Sequence, residues 1–271
     1  MSENYYDMQK EENFAIKKSS FDNSISISRV LERLDGLLMR NDYLSAEAHL
    51  IYWLKEATAQ NDISAQFAFA NELIGIYRKT LQEKKTADIC KFVLLLCENE
   101  RIKGTVSEGT ALINIATAYK AFNKTESALP LYKRAKEIYE GTLDKNDSRL
   151  AGLYNNMAIS LTELKNFSEA KTLFNNALNI LEGVPNSEGE RAITYLNIAD
   201  LYVAEKGYEN TEKEIAALIE TAMELLNSIS HQSDGNYAFI CEKCAPVFAY
   251  YGYFLYEQQL KERAKRIYEG N

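Results

Sequence analysis

The chain has 271 residues, a formal net charge of −8 and a hydrophobic content of 46%. An acidic chain repels phosphate backbones, so nucleic acid is not an expected partner. The sequence contains no run of the ~20 apolar residues that a membrane span needs, and residues 1–20 lack the apolar core of a signal peptide. We therefore expect a cytoplasmic protein with neither a nucleic-acid nor a membrane partner, whose 4 cysteines are reduced.

Six helical hairpins are predicted in chain order, after an N-terminal tail over residues 1–23. The tail carries scattered aromatic residues among charges, so it is disordered or packed on the first hairpin. Beyond it, apolar residues recur at i, i+3, i+4 and i+7, as on one face of an α-helix. Polar and glycine-containing turns delimit hairpins at about 28–58, 63–100, 110–140, 149–182, 191–228 and 237–271.

Four places depart from a regular series of hairpins. The turn at 82–85 is predicted to be one residue longer than its counterparts, and the turn at 207–211 several residues longer. Pro130 predicts that its helix starts near Ser127 or bends, because proline is tolerated in the first turn of a helix. Pro246 predicts either a kinked helix or a helix that starts at the proline.

One side-chain pattern occurs twice between residues 107 and 182, at a distance of 42 residues. A period in this range indicates a solenoid of stacked hairpins. Small residues in the pattern allow two helices to approach closely, and rings fill the space toward the next hairpin. The five positions Ala116, Tyr119, Ala128, Tyr132 and Ala135 return as Ala158, Leu161, Ala170, Phe174 and Ala177.

This order of small and aromatic residues resembles the tetratricopeptide repeat (TPR). The longer period, and a loop with Asp147 that leads into the run Asn155-Asn156-Met157-Ala158, resemble the kinesin light chain subtype. The resemblance covers about residue 28 to the end and is strongest from 107 to 204. It implies an all-α fold, a right-handed α-solenoid of about six TPR-like hairpins that forms one superhelical domain over 24–271.

The resemblance also implies that the first helices of the hairpins line a concave groove that binds extended peptides or helices. Asparagines occupy equivalent positions of three hairpins, at spacings of 42 and 41 residues, and an amide can pair with a peptide backbone. Asparagine at this place also bridges neighbouring helices in other TPR proteins, so both interpretations stay open. The candidate groove residues are Asn114, Thr117, Lys120, Asn155, Asn156, Ile159, Glu163, Asn197 and Asp200.

Three functions are compatible with these features. The leading hypothesis is a non-enzymatic protein–protein interaction scaffold whose protein or peptide ligand lies in the groove. The second is an intracellular peptide-pheromone sensor of the TPR receptor type. The third is a structural homo-oligomer that pairs through the tyrosine-rich residues 250–254, unless these residues pack in the core of the last hairpin.

Catalysis and metal binding find little support in the sequence. His49 and His231 lie in no acid–base motif, and the chain has no glycine-rich phosphate loop. Cys241 and Cys244 form a single C-x-x-C, without the second pair or the histidines of a zinc site. We therefore expect no catalytic residue, no metal site and no cofactor.

Overall fold

The computed structural model describes residues 25–232 and 234–270, so the predicted tail over 1–23 lies outside the described residues. The described residues form α-helices and no β-strand, and none of these helices is long and apolar enough to cross a membrane. The helices are α1 Ile27–Leu38, α2 Tyr43–Ala59, α3 Ile63–Lys79, α4 Glu83–Leu96, α5 Val106–Ala121, α6 Thr125–Thr142, α7 Ser148–Glu163, α8 Phe167–Glu182, α9 Glu188–Lys206, α10 Glu212–Ser228, α11 Gly235–Tyr250 and α12 Phe254–Glu269.

Side chains that cap the first turn explain where several helices begin. An N-terminal turn leaves backbone N–H groups without partners, and a short polar side chain just before the helix can accept from one of them. Such side chains precede α2, α3, α5, α7 and α11. The capping residues are Asp42, Asp62, Thr105, Asp147 and Asp234.

The helices divide into two compact units, with the boundary between Thr142 and Leu143. In the N-terminal unit each helix packs on the next, and α3 also packs on α5. In the C-terminal unit α9 packs on both α7 and α11. The first helix of one hairpin thus stacks on the first helix of the next, which is how an α-solenoid builds a continuous core within each unit.

The positions that define the repeat are core positions. Ala116, Ala128, Ala135 and Tyr132 are fully buried in the N-terminal unit. In the C-terminal unit, their counterparts Ala158, Ala170, Ala177 and Phe174 are buried as well. The all-α fold of stacked hairpins is therefore confirmed, because residues that recur in the sequence occupy the same places between helices.

Four hairpins close through the same three-residue turn. The middle residue of each turn is in the left-handed region, and the next N–H donates to the carbonyl five residues earlier, at 2.8 or 2.9 Å. This is the Schellman arrangement that ends many helices. The turn between α3 and α4 belongs to this set, so the prediction of a longer turn there was wrong. The middle residues are Leu81, Asn123, Lys165 and Gly252.

We expect Leu81→Gly to raise the free energy of unfolding by about 1 kcal/mol. Leu81 has a φ of 57° and is 74% exposed, so it meets the steric cost of a left-handed backbone, about 1–2 kcal/mol, without burying its side chain. The greater freedom of glycine in the unfolded chain offsets part of the gain. Urea unfolding measures the difference. Leu81→Ala keeps the β-carbon and should not stabilise, so an equal gain from both variants would contradict the backbone explanation.

Both prolines lie inside helices rather than at their starts. Pro130 is in α6, which begins at Thr125, and Pro246 is in α11, which begins at Gly235. The predicted starts near Ser127 and at Pro246 were therefore wrong. Each proline lies on the exposed side of its helix, where water can satisfy the carbonyl that loses its intrahelical hydrogen bond.

Candidate functional site

In the N-terminal unit, an amide–amide hydrogen bond joins the first helices of two hairpins. Nδ2 of Asn114 on α5 donates to Oδ1 of Asn71 on α3, with an N···O distance of 3.0 Å. Asn71 is only 3% exposed. Sequence reasoning missed Asn71, although it precedes Asn114 by 43 residues, close to the repeat period. The amide of Asn114 thus bridges neighbouring helices.

The same bond recurs in the C-terminal unit. Nδ2 of Asn197 on α9 donates to Oδ1 of Asn155 on α7, at 3.1 Å. The bridging residue on α7 is therefore Asn155, and not Asn156, which aligns with Asn114 and Asn197 in the sequence. Asn156 is half-buried, and among the described residues its side-chain amide has no hydrogen-bond partner. An amide with unused donors and an unused acceptor is suited to pair with another chain.

The other candidate groove residues differ in their surroundings. Thr117 shares a hydrogen bond of 3.1 Å with the hydroxyl of Tyr132, so its hydroxyl is engaged inside the third hairpin. Lys120 and Ile159 are half-buried, while Glu163 and Asp200 are exposed. Within the C-terminal unit, the Asn155–Asn197 bond holds α7 and α9 together. We use the name C-terminal amide face for the predicted groove residues on α7 and α9, which are Asn155, Asn156, Ile159, Glu163, Asn197 and Asp200.

Asp200 is linked to the last hairpin. The hydroxyl of Tyr251 donates to Oδ1 of Asp200 at 2.7 Å. Although the residue as a whole is exposed, partial burial of its carboxyl group raises the pKa of Asp200, and the Tyr251 hydrogen bond opposes this rise. The carboxylate is thereby held in one orientation at the end of the amide face.

A cavity of about 290 Å³, which we call the tyrosine pocket, lies beside this tyrosine. Its walls include three tyrosine rings and one carboxylate, those of Tyr208, Tyr251, Tyr253 and Glu212. A second cavity of about 460 Å³ shares Tyr253 as a wall. Residues 250–254 thus differ in solvent exposure, since Tyr251 is buried whereas Tyr250 is 71% exposed. Sequence reasoning did not find the tyrosine pocket, because its walls come from two separate turns.

The four cysteines are buried thiols and form no cluster with other ligands. Burial raises the pKa of Cys90, Cys97 and Cys244 to about 12, and it raises the pKa of Cys241 as well. Within residues 25–232 and 234–270, no group of three or more His, Cys, Asp or Glu side chains could hold a metal ion. The C-x-x-C pair accordingly packs in the core of the last hairpin.

These thiols should react very slowly with Ellman's reagent in the folded protein at pH 8. The thiolate is the reactive form, and a pKa near 12 keeps the thiols of Cys90, Cys97 and Cys244 protonated at that pH. Absorbance of the released product, with and without denaturant, measures the reaction. Ser168→Cys on the exposed side of α8 should add one fast-reacting thiol. Rapid labelling of the native chain without that substitution would contradict the burial.

Two family models described as tetratricopeptide repeat match parts of this chain. Residues 109–148 and residues 149–210 each fit a family profile of that description. A clustered mitochondria protein homolog of Lodderomyces elongisporus is 26% identical over 182 residues. That alignment covers 66% of this chain and only 13% of the relative, so the chain corresponds to a small part of that protein.

Solved structures share the fold at low sequence identity. The apo form of RapI aligns with a TM-score of 0.67 and 13% identity, over 98% of this chain and 91% of RapI. NprR in complex with its cognate peptide NprX aligns with a TM-score of 0.61 and 17% identity, over 97% of this chain and 73% of NprR. A structure of Podosopora anserina kinesin light chain TPR-like repeats aligns with a TM-score of 0.51 and 16% identity, over 73% of this chain and 92% of that structure. Residues 109–210 thus match the tetratricopeptide repeat, and the solved structures share the chain's fold of stacked helical hairpins.

Proposed function

We propose that this chain is a non-enzymatic interaction scaffold that binds an extended peptide or a partner helix along the first helices of its hairpins. The observation that carries the proposal is the paired amides, Asn71 with Asn114 and Asn155 with Asn197. An amide offers two N–H donors and an oxygen with two lone pairs. One bridging bond therefore leaves Asn155 and Asn197 with capacity to hold a peptide backbone while they keep the helices in register.

The chemistry of the C-terminal amide face indicates what it would prefer to bind. Asn156 supplies a half-buried amide, and Ile159 supplies a half-buried apolar surface beside it. Glu163 and Asp200 are exposed carboxylates, which favour a partner with basic side chains. In the N-terminal unit, Lys120 gives the corresponding helix a positive charge.

A peptide sensor is a narrower form of the same proposal. It rests on the fold shared with NprR, which was solved with its cognate peptide. In a sensor, binding would change the arrangement of the hairpins, whereas in a scaffold it would not. Small-angle scattering with and without a bound peptide separates the two, since an unchanged profile favours the scaffold.

The test begins with a peptide that is selected from a random library for binding to the wild-type chain. The affinity of this peptide is then measured for two asparagine variants. Asn156→Ala removes an amide that makes no bond to the described residues, so the fold should be retained. We expect binding to weaken about 10-fold, as for the loss of one hydrogen bond. Asn175→Ala on the exposed side of α8 is the matched control and should bind normally. Equal affinity for both variants would contradict binding on the amide face.

A further inference from the structure

The tyrosine pocket has rings in fixed orientations. The rings of Tyr208 and Tyr251 lie 23° from parallel, with centroids 6.4 Å apart. Asp200 anchors the hydroxyl of Tyr251 at 2.7 Å. The ring of Tyr253 packs edge-on against buried Phe248, at 6.2 Å. Each of these tyrosines also lines the cavity, so the contacts that orient the rings lower the cost of ordering them when a ligand binds.

An unusual turn creates this pocket. Between α9 and α10 the chain has five residues, with a short 3-10 helix over Tyr208–Asn210, where four other hairpins have three. Gly207 takes a φ of 79°, which is the left-handed region that glycine tolerates. The side chains of Asn210 and Thr211 close the turn, each donating to a backbone carbonyl at 2.8 Å. The longer turn expected at 207–211 is thus present, and it carries Tyr208 to Tyr251.

Negative charge surrounds the rings. Glu212 lines the cavity itself, and the carboxylate of Asp200 contacts Tyr251. Partial burial and the nearby charge of Glu220 both raise the pKa of Tyr253. The faces of aromatic rings attract cations electrostatically, and carboxylates beside them add to that attraction.

The protein's own lysine and arginine side chains lie over other aromatic rings. Lys171 and Lys206 lie over Tyr202, with Nζ 5.7 and 5.6 Å from the ring centroid. In the part of the chain that the structure describes, the remaining cation–π contacts involve Tyr77 and Tyr256. No lysine or arginine among residues 25–232 and 234–270 therefore lies over the three rings of the tyrosine pocket.

We propose that the tyrosine pocket binds the cationic side chain of a peptide partner, with arginine preferred. Guanidinium is planar, delocalised and weakly hydrated, and it stacks on aromatic faces more readily than a compact ammonium does. A cavity of about 290 Å³ suits one side chain rather than a whole ligand. No residue of the C-terminal amide face lines this cavity, but Asp200 of that face holds Tyr251, and the choice of a peptide as the partner rests on the proposed function.

A titration of the full chain with N-acetyl-arginine amide tests the site. N-acetyl-citrulline amide is the matched probe, because it has the same shape with a neutral urea in place of the guanidinium. NMR shifts of the Gly207 and Gly252 backbone amides, which flank the pocket, report binding. We expect citrulline to bind about 2- to 30-fold more weakly than arginine, the range of a cation–π contact. Equal affinities would overturn the cation site, and tighter binding of N-acetyl-lysine amide would overturn the preference for guanidinium.

Variants of the walls make the test specific. Tyr208 is 45% exposed and lies in a turn, so Tyr208→Leu should fold; it keeps an apolar side chain and loses the ring. We expect Tyr208→Leu and Glu212→Gln each to weaken arginine binding about 5-fold, and Tyr208→Phe to bind almost as wild type. Tyr52→Leu, at a 57% exposed tyrosine of the N-terminal unit, is the control. Unchanged binding in Tyr208→Leu and Glu212→Gln, or a full loss in Tyr208→Phe, would overturn the assignment.

Discussion

Arg134→Ala should lower the free energy of unfolding by about 3 kcal/mol. Glu108 is only 1% exposed, and its Oε1 is paired with the guanidinium of Arg134. Its Oε2 accepts the N–H of Gly104 at 2.5 Å. Without Arg134 a buried carboxylate loses its counter-charge and keeps one hydrogen bond. Because Arg134 is 39% exposed, water can partly replace it, which places the loss at the lower end of the range for buried pairs.

Two further variants separate this effect from a general loss of surface charge. Arg134→Ala combined with Glu108→Gln should recover part of the stability, because the buried group is then neutral. Lys136→Ala breaks the Lys136–Glu140 pair on the surface of the same helix, and an exposed pair contributes less than about 1 kcal/mol. Chemical unfolding of all three variants provides the comparison. A loss in Arg134→Ala no larger than that in Lys136→Ala would contradict the buried ion pair.

Gly109→Ala and Gly152→Ala should change stability in opposite directions. A β-carbon at Gly109 would lie 2.5 Å from Cε1 of Tyr139. That ring is 2% exposed, and its hydroxyl is bound to Thr110 at 2.7 Å, so it has no room to move. Overpacking of this kind costs about 1–3 kcal/mol. A β-carbon at Gly152 in α7 meets nothing within 4 Å, so alanine should stabilise that helix by about 0.5–1 kcal/mol.

Gly189→Ala provides an intermediate case. Its β-carbon would meet the terminal methyl of Ile240, and the end of an isoleucine side chain can rotate at modest cost. We therefore expect a smaller loss than for Gly109→Ala. Thermal and urea unfolding of the three variants measure the order. A loss at Gly152 as large as that at Gly109 would show that helix propensity and close packing do not explain these positions.

Some features of the amide bridges could be predicted from the sequence repeat, and others could not. The spacing of Asn114 and Asn197 placed each on the first helix of a hairpin, and both do pair there. On α7 the repeat spacing aligns Asn156 with Asn114 and Asn197, whereas the residue that pairs with Asn197 is its neighbour Asn155. Neighbouring residues on a helix point about 100° apart, so the choice between Asn155 and Asn156 depends on how α7 is rotated against α9. Packing between helices sets that rotation.

The sequence by itself determined the hairpins and the residues between their helices, because a period of 3.6 and a repeat of about 42 residues are local properties of the chain. Only the tertiary structure decided which prolines could stay inside helices, and which tyrosines meet. Tyr208 and Tyr251 come from separate turns and stack only once α9 packs on α11. Contacts of this kind depend on distances between helices, and no periodicity encodes them.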